Sequence, residues 1–278
     1  MKLDNIKSRN IHANFQGLKA MVVGGTAGIG EAIAKRLAQA QFDVIIVGRN
    51  KDRGHEIVLE METINPTGKY DFLPLDVQYI KNIHGIAENY KQLDRLVLTQ
   101  GILTTQGRKE TSEGIDQKLS LHYYSRMAFI QEFLPLLRAS TNSPRVLSVL
   151  SGGKHSSFPL YQQDPELKEN YSLSNAATAA GFYNDLMLDS YSTDPENNTI
   201  AFAHSAPGIV NTDWGNKFPF FINLLFTPLK LFAKTPADCA ELMSDFLLNP
   251  SVLPGFYVFD QYGQPATTTQ LHTIEAKD

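Results

Sequence analysis

Near the N-terminus an apolar run passes into an amphipathic stretch through VVGGTAGIG, which sets Gly24, Gly25, Gly28 and Gly30 around Thr26 and Ile29. Glycine there permits a tight turn and lets backbone N–H groups approach a pyrophosphate, while the N-terminus of the following helix adds partial positive charge. A dinucleotide is the ligand that this order of strand, glycine loop and helix serves. The next apolar run ends in VGRN, so Gly48 stands where a carboxylate would receive a ribose hydroxyl pair, and Arg49 and Asn50 follow. The planar fork of arginine suits a 2′-phosphate, which makes NADP(H) the expected cofactor. A third stretch, NYSLSNAA, carries Tyr171 and, one helical turn later, Asn175. Taken alone, those residues leave Tyr171 either a reacting phenol or one more aromatic on a helix.

The elements that must position these groups alternate. Strand-length apolar runs at Lys19–Val23, Val44–Val47, Tyr70–Leu75, Arg95–Thr99, Arg145–Leu150, Ile200–Ala203 and Phe256–Phe259 are separated by helical patterns. That order predicts an α/β fold, a doubly wound parallel sheet of about seven strands with helices on both faces. Ile29, Ala32, Ile33 and Leu37 recur at helical spacing, as do Ile115, Leu119, Ile130, Leu134 and Leu137. Thr235-Pro236-Ala237-Asp238 has the composition of a helix start: a threonine cap, proline in the first position and an acid in the first turn. With no repeat or linker, a single domain over 17–260 is expected, flanked by an N-terminal extension, 1–16, and a tail, 261–278.

The 278 residues carry a net charge of −4 with 42% hydrophobic and 19% charged positions, which gives no general pull towards nucleic acid or anionic membrane. One cysteine, Cys239, excludes an internal disulfide and a cysteine-based zinc cage, and its bland role is a small buried hydrophobe. No metal is expected. The first sixteen residues lack the apolar core of a signal peptide, so a cytoplasmic protein is expected, and the Asn197-Asn198-Thr199 sequon reads as a polar turn. The apolar run Phe218 to Phe232 is broken by Pro219, Pro228 and Lys230 and is too short to span a bilayer. It reads as a core helix, a substrate lid or a membrane-surface anchor.

In order along the chain stand GGTAGIG, GRN, LDV at Leu75–Val77, SVLS at Ser148–Ser151, YSLSNAA and PGIVNT at Pro207–Thr212. With them the chain resembles the short-chain dehydrogenase/reductase family over about residues 17 to 260. The resemblance implies one Rossmann domain and an oxidoreductase that moves hydride between nicotinamide and a carbonyl or alcohol carbon. It implies that Asp76 and Val77 border the adenine, that Gln100 and Gly101 lie beside the cofactor, and that Pro207, Gly208, Val210 and Thr212 hold the carboxamide. It assigns Ser151 to polarise the substrate oxygen, with Ser148 and Ser156 as weaker candidates, and Tyr171 to transfer the proton. It also implies a homodimer or homotetramer built on long helices near 113–138 and 171–191, while the apolar run 218–232, read as a lid, suggests a small hydrophobic substrate. The variable segments 152–170 and 211–234 would shape the substrate pocket, 152–170 either bordering it or looping into solvent.

Two positions depart from the family. Its tyrosine is followed four residues later by lysine, where this chain has Asn175; its tetrad asparagine, placed by the distance to Pro135, is His122. An amide can still hold ribose hydroxyls, which is the role expected of Asn175, but it has no charge to favour a tyrosinate. An ordinary tyrosine has a pKa of about 10, so alcohol oxidation, which needs the tyrosinate first, suffers more than carbonyl reduction, which starts from the phenol. Reduction is the expected direction. Lys168, Lys154 and His122 are the cations that could approach Tyr171, and His122 is either a proton shuttle or a satisfied histidine between helices. The alternative from another class is a catalytically impaired NADP(H)-binding module that regulates a partner.

Overall fold

A computed structural model describes residues 3–212 and 233–277. Seven parallel strands form one sheet in the order β3-β2-β1-β4-β5-β6-β7. They are β1 Lys19–Val23, β2 Asp43–Gly48, β3 Tyr70–Pro74, β4 Arg95–Leu98, β5 Arg145–Val149, β6 Ala201–Ser205 and β7 Gly255–Phe259. Every strand expected from the sequence is present. The largest shift is at β6, which runs on through His204 and Ser205; both are buried and pair in register with Val258 and Phe259, so polarity hid the strand's end.

The helices are α1 Leu3–Asn10, α2 Gly28–Gln39, α3 Lys51–Ile64, a single turn α4 Gln117–Leu119, α5 Ser125–Ala139, α6 Leu173–Thr193, α7 Pro236–Leu248 and α8 Ile274–Lys277. Helix α7 begins as its sequence predicts, with the Thr235 hydroxyl accepting from the Asp238 amide. The long helix expected near 113–138 is divided: a π turn, Ser120–Tyr124, separates α4 from α5 and carries His122. Such wide turns re-aim side chains and recur at functional sites. One apolar cluster lies between the sheet and α2, α3 and α7, another between the sheet and α5.

Chain order reverses between β1 and β4, the switch point where ligands of open parallel sheets bind at the carboxyl ends of the strands. The N-terminal segment expected as an extension folds as α1 against α7, where Lys7 pairs with Asp238 and Asn10 donates to Glu241. Among the described residues no helix is long and apolar enough to cross a membrane. The apolar run 218–232 lies outside the described residues.

Candidate active site

The glycine loop leaves β1 at the switch point. Gly24 has φ +82, and a Cβ there would stand 2.7 Å from Thr99 Oγ1 and 2.8 Å from the Gln100 amide nitrogen. A Cβ on Gly30 would come within 2.3 Å of the Gly24 carbonyl oxygen. Both positions therefore exclude a side chain, and the first turn of α2 closes onto the loop. Ala27 leaves that helix without a side-chain cap, so its first N–H groups remain free for an anion.

An open cleft of about 390 Å³ follows from this geometry, lined by Gly24, Gly28, Ile29, Gly30, Arg49, Gly101 and Thr212 among others. Seven residues from four separate motifs thus share one surface. At its far end a Cβ on Gly48 would lie 2.6 Å from Thr26 Oγ1, which leaves no room for a carboxylate at that position. Arg49 is mostly exposed, its nearest acid being Asp76 at 3.9 Å. An exposed pair at that distance contributes little and frees the guanidinium for a better anion. Asn50 is committed to capping α3, accepting from the Arg53 amide. Gln100 is buried and turned towards Ser125, with its side-chain oxygen Oε1 unpaired, while Val77 is buried in the core.

Thr212 faces Gly28 across the cleft; a Cβ on that glycine would lie 3.2 Å from Thr212 Cγ2. The Pro207-Gly208 turn leads there, with Gly208 at φ +68. The bridge between Val210 and Lys234 ties the two described ends of segment 211–234 together. A larger cavity, about 780 Å³, lies outside α2 towards α7. Its wall is made of mutually paired charges, including Arg36 with Glu241 and Glu31 with Lys35 and Arg53, so the smaller cleft, with its free amides, is the better anion site.

Ser151 follows β5, and its Oγ is buried without a partner. Gly181 of α6 makes the room: a Cβ there would sit 2.4 Å from Ser151 Oγ and 2.7 Å from His155 Cγ. The Ser151 amide donates to His204 Nε2 at 3.0 Å, so the ring proton of His204 is on Nδ1, which donates to Asp185 at 2.6 Å. The other oxygen of Asp185 meets His155 Nε2 at 2.8 Å, while His155 Nδ1 faces the Ser156 carbonyl at 3.1 Å. Both nitrogens of His155 face acceptors, which assigns it as the imidazolium.

The electrostatics agree with that assignment. Burial pushes the Asp185 carboxyl up, but hydrogen bonds from His155 and His204 outweigh it and hold it at about 2. Burial also opposes charge on His155, where the bond to Asp185 prevails and raises it; on fully buried His204 burial prevails and lowers it. The three side chains lie close enough to surround a metal ion, with ligand atoms within 4.8 Å of one another. The proton on His204 Nδ1 occupies the atom that would face such an ion, so the set fits a hydrogen-bonded triad better than a metal centre.

Tyr171 stands just before α6. Its Oη is buried and unpartnered, and its ring packs on the cluster that includes Leu119, Phe158 and Leu167. The segment before it is fixed by Asp164, whose carboxylate accepts from the amides of Lys168, Glu169 and Asn170. The 152–170 loop is therefore packed against α6 through Phe158 and Leu167 rather than projecting into solvent along its whole length. Asn175 joins the same clamp: its side-chain nitrogen donates to the Asn170 carbonyl at 2.8 Å and its amide to the Ser172 cap. In this geometry the Asn175 side-chain nitrogen holds backbone through one hydrogen bond.

None of the three cations anticipated for Tyr171 is among the described residues that stand over its ring. Lys168 is exposed and paired with Glu166, and Lys154 is exposed. His122 is held neutral, pushed to about 3 by burial, with the charges of Arg126 and Lys118 adding to the effect. Its Nε2 accepts from the Ile102 amide at 2.9 Å, an arrangement of support rather than proton exchange with solvent. The cation at Tyr171 is Lys118, with Nζ 5.4 Å from the ring centroid.

Other structural groups surround the site. Ser148 lies within β5, donating to Asn184 and accepting from Arg126. Arg126 also donates to Leu98, Val149 and Gln100 carbonyls, tying the ends of β4 and β5. Ser156 takes part through its carbonyl only, as the acceptor for His155. Cys239 is buried and its thiol is pushed up to about 11, which leaves it inert.

These features define a parallel α/β protein with a glycine-lined cleft at its switch point and two buried, unpartnered hydroxyls, on Ser151 and Tyr171. The short chain dehydrogenase family profile matches residues 19–219, and the chain belongs to that family. "Oxidoreductase AN1596" of Emericella nidulans is 35% identical over 85% of this chain and 75% of its own length. "Oxidoreductase andH" of Emericella variicolor is 35% identical over 76% of this chain, and the match spans 63% of that protein. Among solved structures, a short chain dehydrogenase from Burkholderia cenocepacia in complex with NADP has a TM-score of 0.67 at 22% identity, covering 89% of this chain and 97% of that one. L-sorbose reductase from Gluconobacter frateurii, complexed with NADPH and L-sorbose, has a TM-score of 0.66 at 16% identity, covering 90% and 97%. At those identities the structures establish the shared fold.

Proposed function

We propose that this chain is an NADP(H)-dependent oxidoreductase that reduces the carbonyl of a small hydrophobic substrate. The observation that carries the reading is the pair of buried, unpartnered hydroxyls, Ser151 Oγ and Tyr171 Oη. An enclosed hydroxyl without a partner costs about 1–3 kcal/mol, so each of the two calls for a ligand that satisfies it. When bound, NADPH would supply the hydride. The loop 24–30 and the α2 N-terminus would hold the pyrophosphate, Arg49 the 2′-phosphate, Asp76 the adenosine end, and Pro207 to Thr212 the carboxamide. Ser151 would donate to the substrate oxygen and Tyr171 would deliver its proton there.

The NADP and NADPH bound to proteins of this fold support the cofactor choice. Cytoplasmic placement accords with the single inert cysteine. A second reading, a cofactor-binding module impaired in catalysis, is favoured by one observation, the commitment of Asn175 to the Asn170 carbonyl. Fluorescence titration with NADPH and NADH tests the cofactor. Arg49→Ala should weaken NADPH by about tenfold or more and NADH by less than about twofold; equal losses would remove the 2′-phosphate from the account. Turnover of a carbonyl panel by the native protein separates the enzyme from the module.

A further inference from the structure

The environment of Tyr171 contains a charge that its own helix lacks. Lys118 comes from α4, fifty-three positions earlier, and is itself buried. Its Nζ donates to the carbonyls of Gln106 and Gly107 at 2.8 and 3.2 Å, so two backbone acceptors fix the ammonium over the aromatic face. A lysine buried without a carboxylate partner is costly, and among the described contacts none pairs it with an acid. The acids nearby have other commitments. Asp116 accepts from the amides of Lys109, Lys118 and Leu119, and Asp164 from the amides before Tyr171. Glu166 is paired with Lys168. His122, within reach of the same field, is neutral.

We propose that Lys118 is the electrostatic positioning residue of the site, stabilising the negative charge that forms on Tyr171 Oη when it gives up its proton, while Asn175 serves as a backbone clamp. This rests on the oxidoreductase reading above. In the step concerned, the hydride that bound NADPH would supply, with cleavage of a nicotinamide C–H bond and oxidation of the cofactor to NADP+, would form the new C–H bond as the C=O π pair moves to oxygen. The Tyr171 O–H bond then breaks and its proton forms the alcohol O–H. The phenolate left behind would belong to the ring over which Lys118 stands, and water returns the proton. The device differs from an i,i+4 lysine because the cation is delivered by a separate segment, 104–119.

The test uses the full-length protein with NADPH and nonanal, acetophenone and menadione as probes. Lys118→Met should lower kcat about ten- to a hundredfold, leave NADPH affinity within about twofold, and move the alkaline limb of the reduction profile upward by about one pH unit. Lys118→Arg, or Asn175→Lys added to Lys118→Met, should raise kcat about fivefold or more above that of Lys118→Met. An unchanged profile and kcat in Lys118→Met, or a loss that neither replacement charge recovers, would overturn the role of Lys118. Native protein that binds NADPH but reduces no probe, with activity appearing in Asn175→Lys, would also overturn it while keeping the oxidoreductase reading. NADPH binding with no reduction by either protein would overturn both.

Discussion

Tyr171→Phe is expected to lower NADPH-dependent carbonyl reduction by about 10³-fold while NADPH binding is unchanged. The ring remains in place, because its packing against Leu119, Phe158 and Leu167 and the approach of Lys118 involve the aromatic face and edge. Only the Oη is lost, and it has no protein partner, so folding stability should stay within about 1 kcal/mol of native. Initial rates at 340 nm, cofactor titration and a thermal melt on the same preparation check all three statements. Native-like turnover would show that the proton comes from elsewhere; lost cofactor binding would place Tyr171 in the fold rather than in the chemistry.

Asp185→Asn is expected to destabilise the fold by about 2 kcal/mol at pH 7 and to lower turnover, because it breaks the chain of contacts that holds the Ser151 amide. The sign with pH follows from the folded-state shifts. Asp185 is depressed to about 2, so its contribution is complete above the ordinary carboxylate range and is lost as pH falls from about 4 towards 2. The raised His155 contributes below its ordinary value and loses that contribution as pH rises through its folded one. His204, lowered by burial, acts oppositely: it penalises the folded state as pH falls below its ordinary value, and the penalty disappears as pH rises up to that value. Urea unfolding of native and variant protein at pH 7 and pH 3 should therefore show a stability gap that narrows in acid. A gap that is absent at pH 7, or constant between the two, would remove the charged triad from the account.

The fold and the nucleotide cleft were legible because local rules write them. Glycines at 24 and 30 are demanded by one turn, and strand-length apolar runs announce a sheet whose order follows from right-handed crossovers. The catalytic end was legible only in part. Ser151 and Tyr171 could be named from motif order, but Lys118 could not, since nothing local to it signals that α4 delivers its side chain to a ring fifty-three positions later.

The triad left a weak signal that went unused. Asn184 and Asp185 interrupt the buried face of α6, and His204 sits in a buried strand, where polar residues need partners. His122 lies beside Gly101, but its state depends on burial and on Arg126 and Lys118, which are tertiary properties. A ribose role for Asn175 is legible because its side chain can form such bonds; the hydrogen bond from that side chain to the Asn170 carbonyl is a tertiary feature that no local pattern announces.

The central claim is that this cleft brings a reduced nicotinamide and a carbonyl together beside Tyr171. It is tested most directly by incubating the native protein with NADPH deuterated at the transferring carbon and a panel of hydrophobic aldehydes, ketones and quinones, then analysing the products by mass spectrometry. The account predicts an alcohol product carrying one deuterium on the former carbonyl carbon, formed by the native protein and reduced about 10³-fold in Tyr171→Phe. Saturated NADPH binding with no deuterium transfer to any of these carbonyls would contradict it.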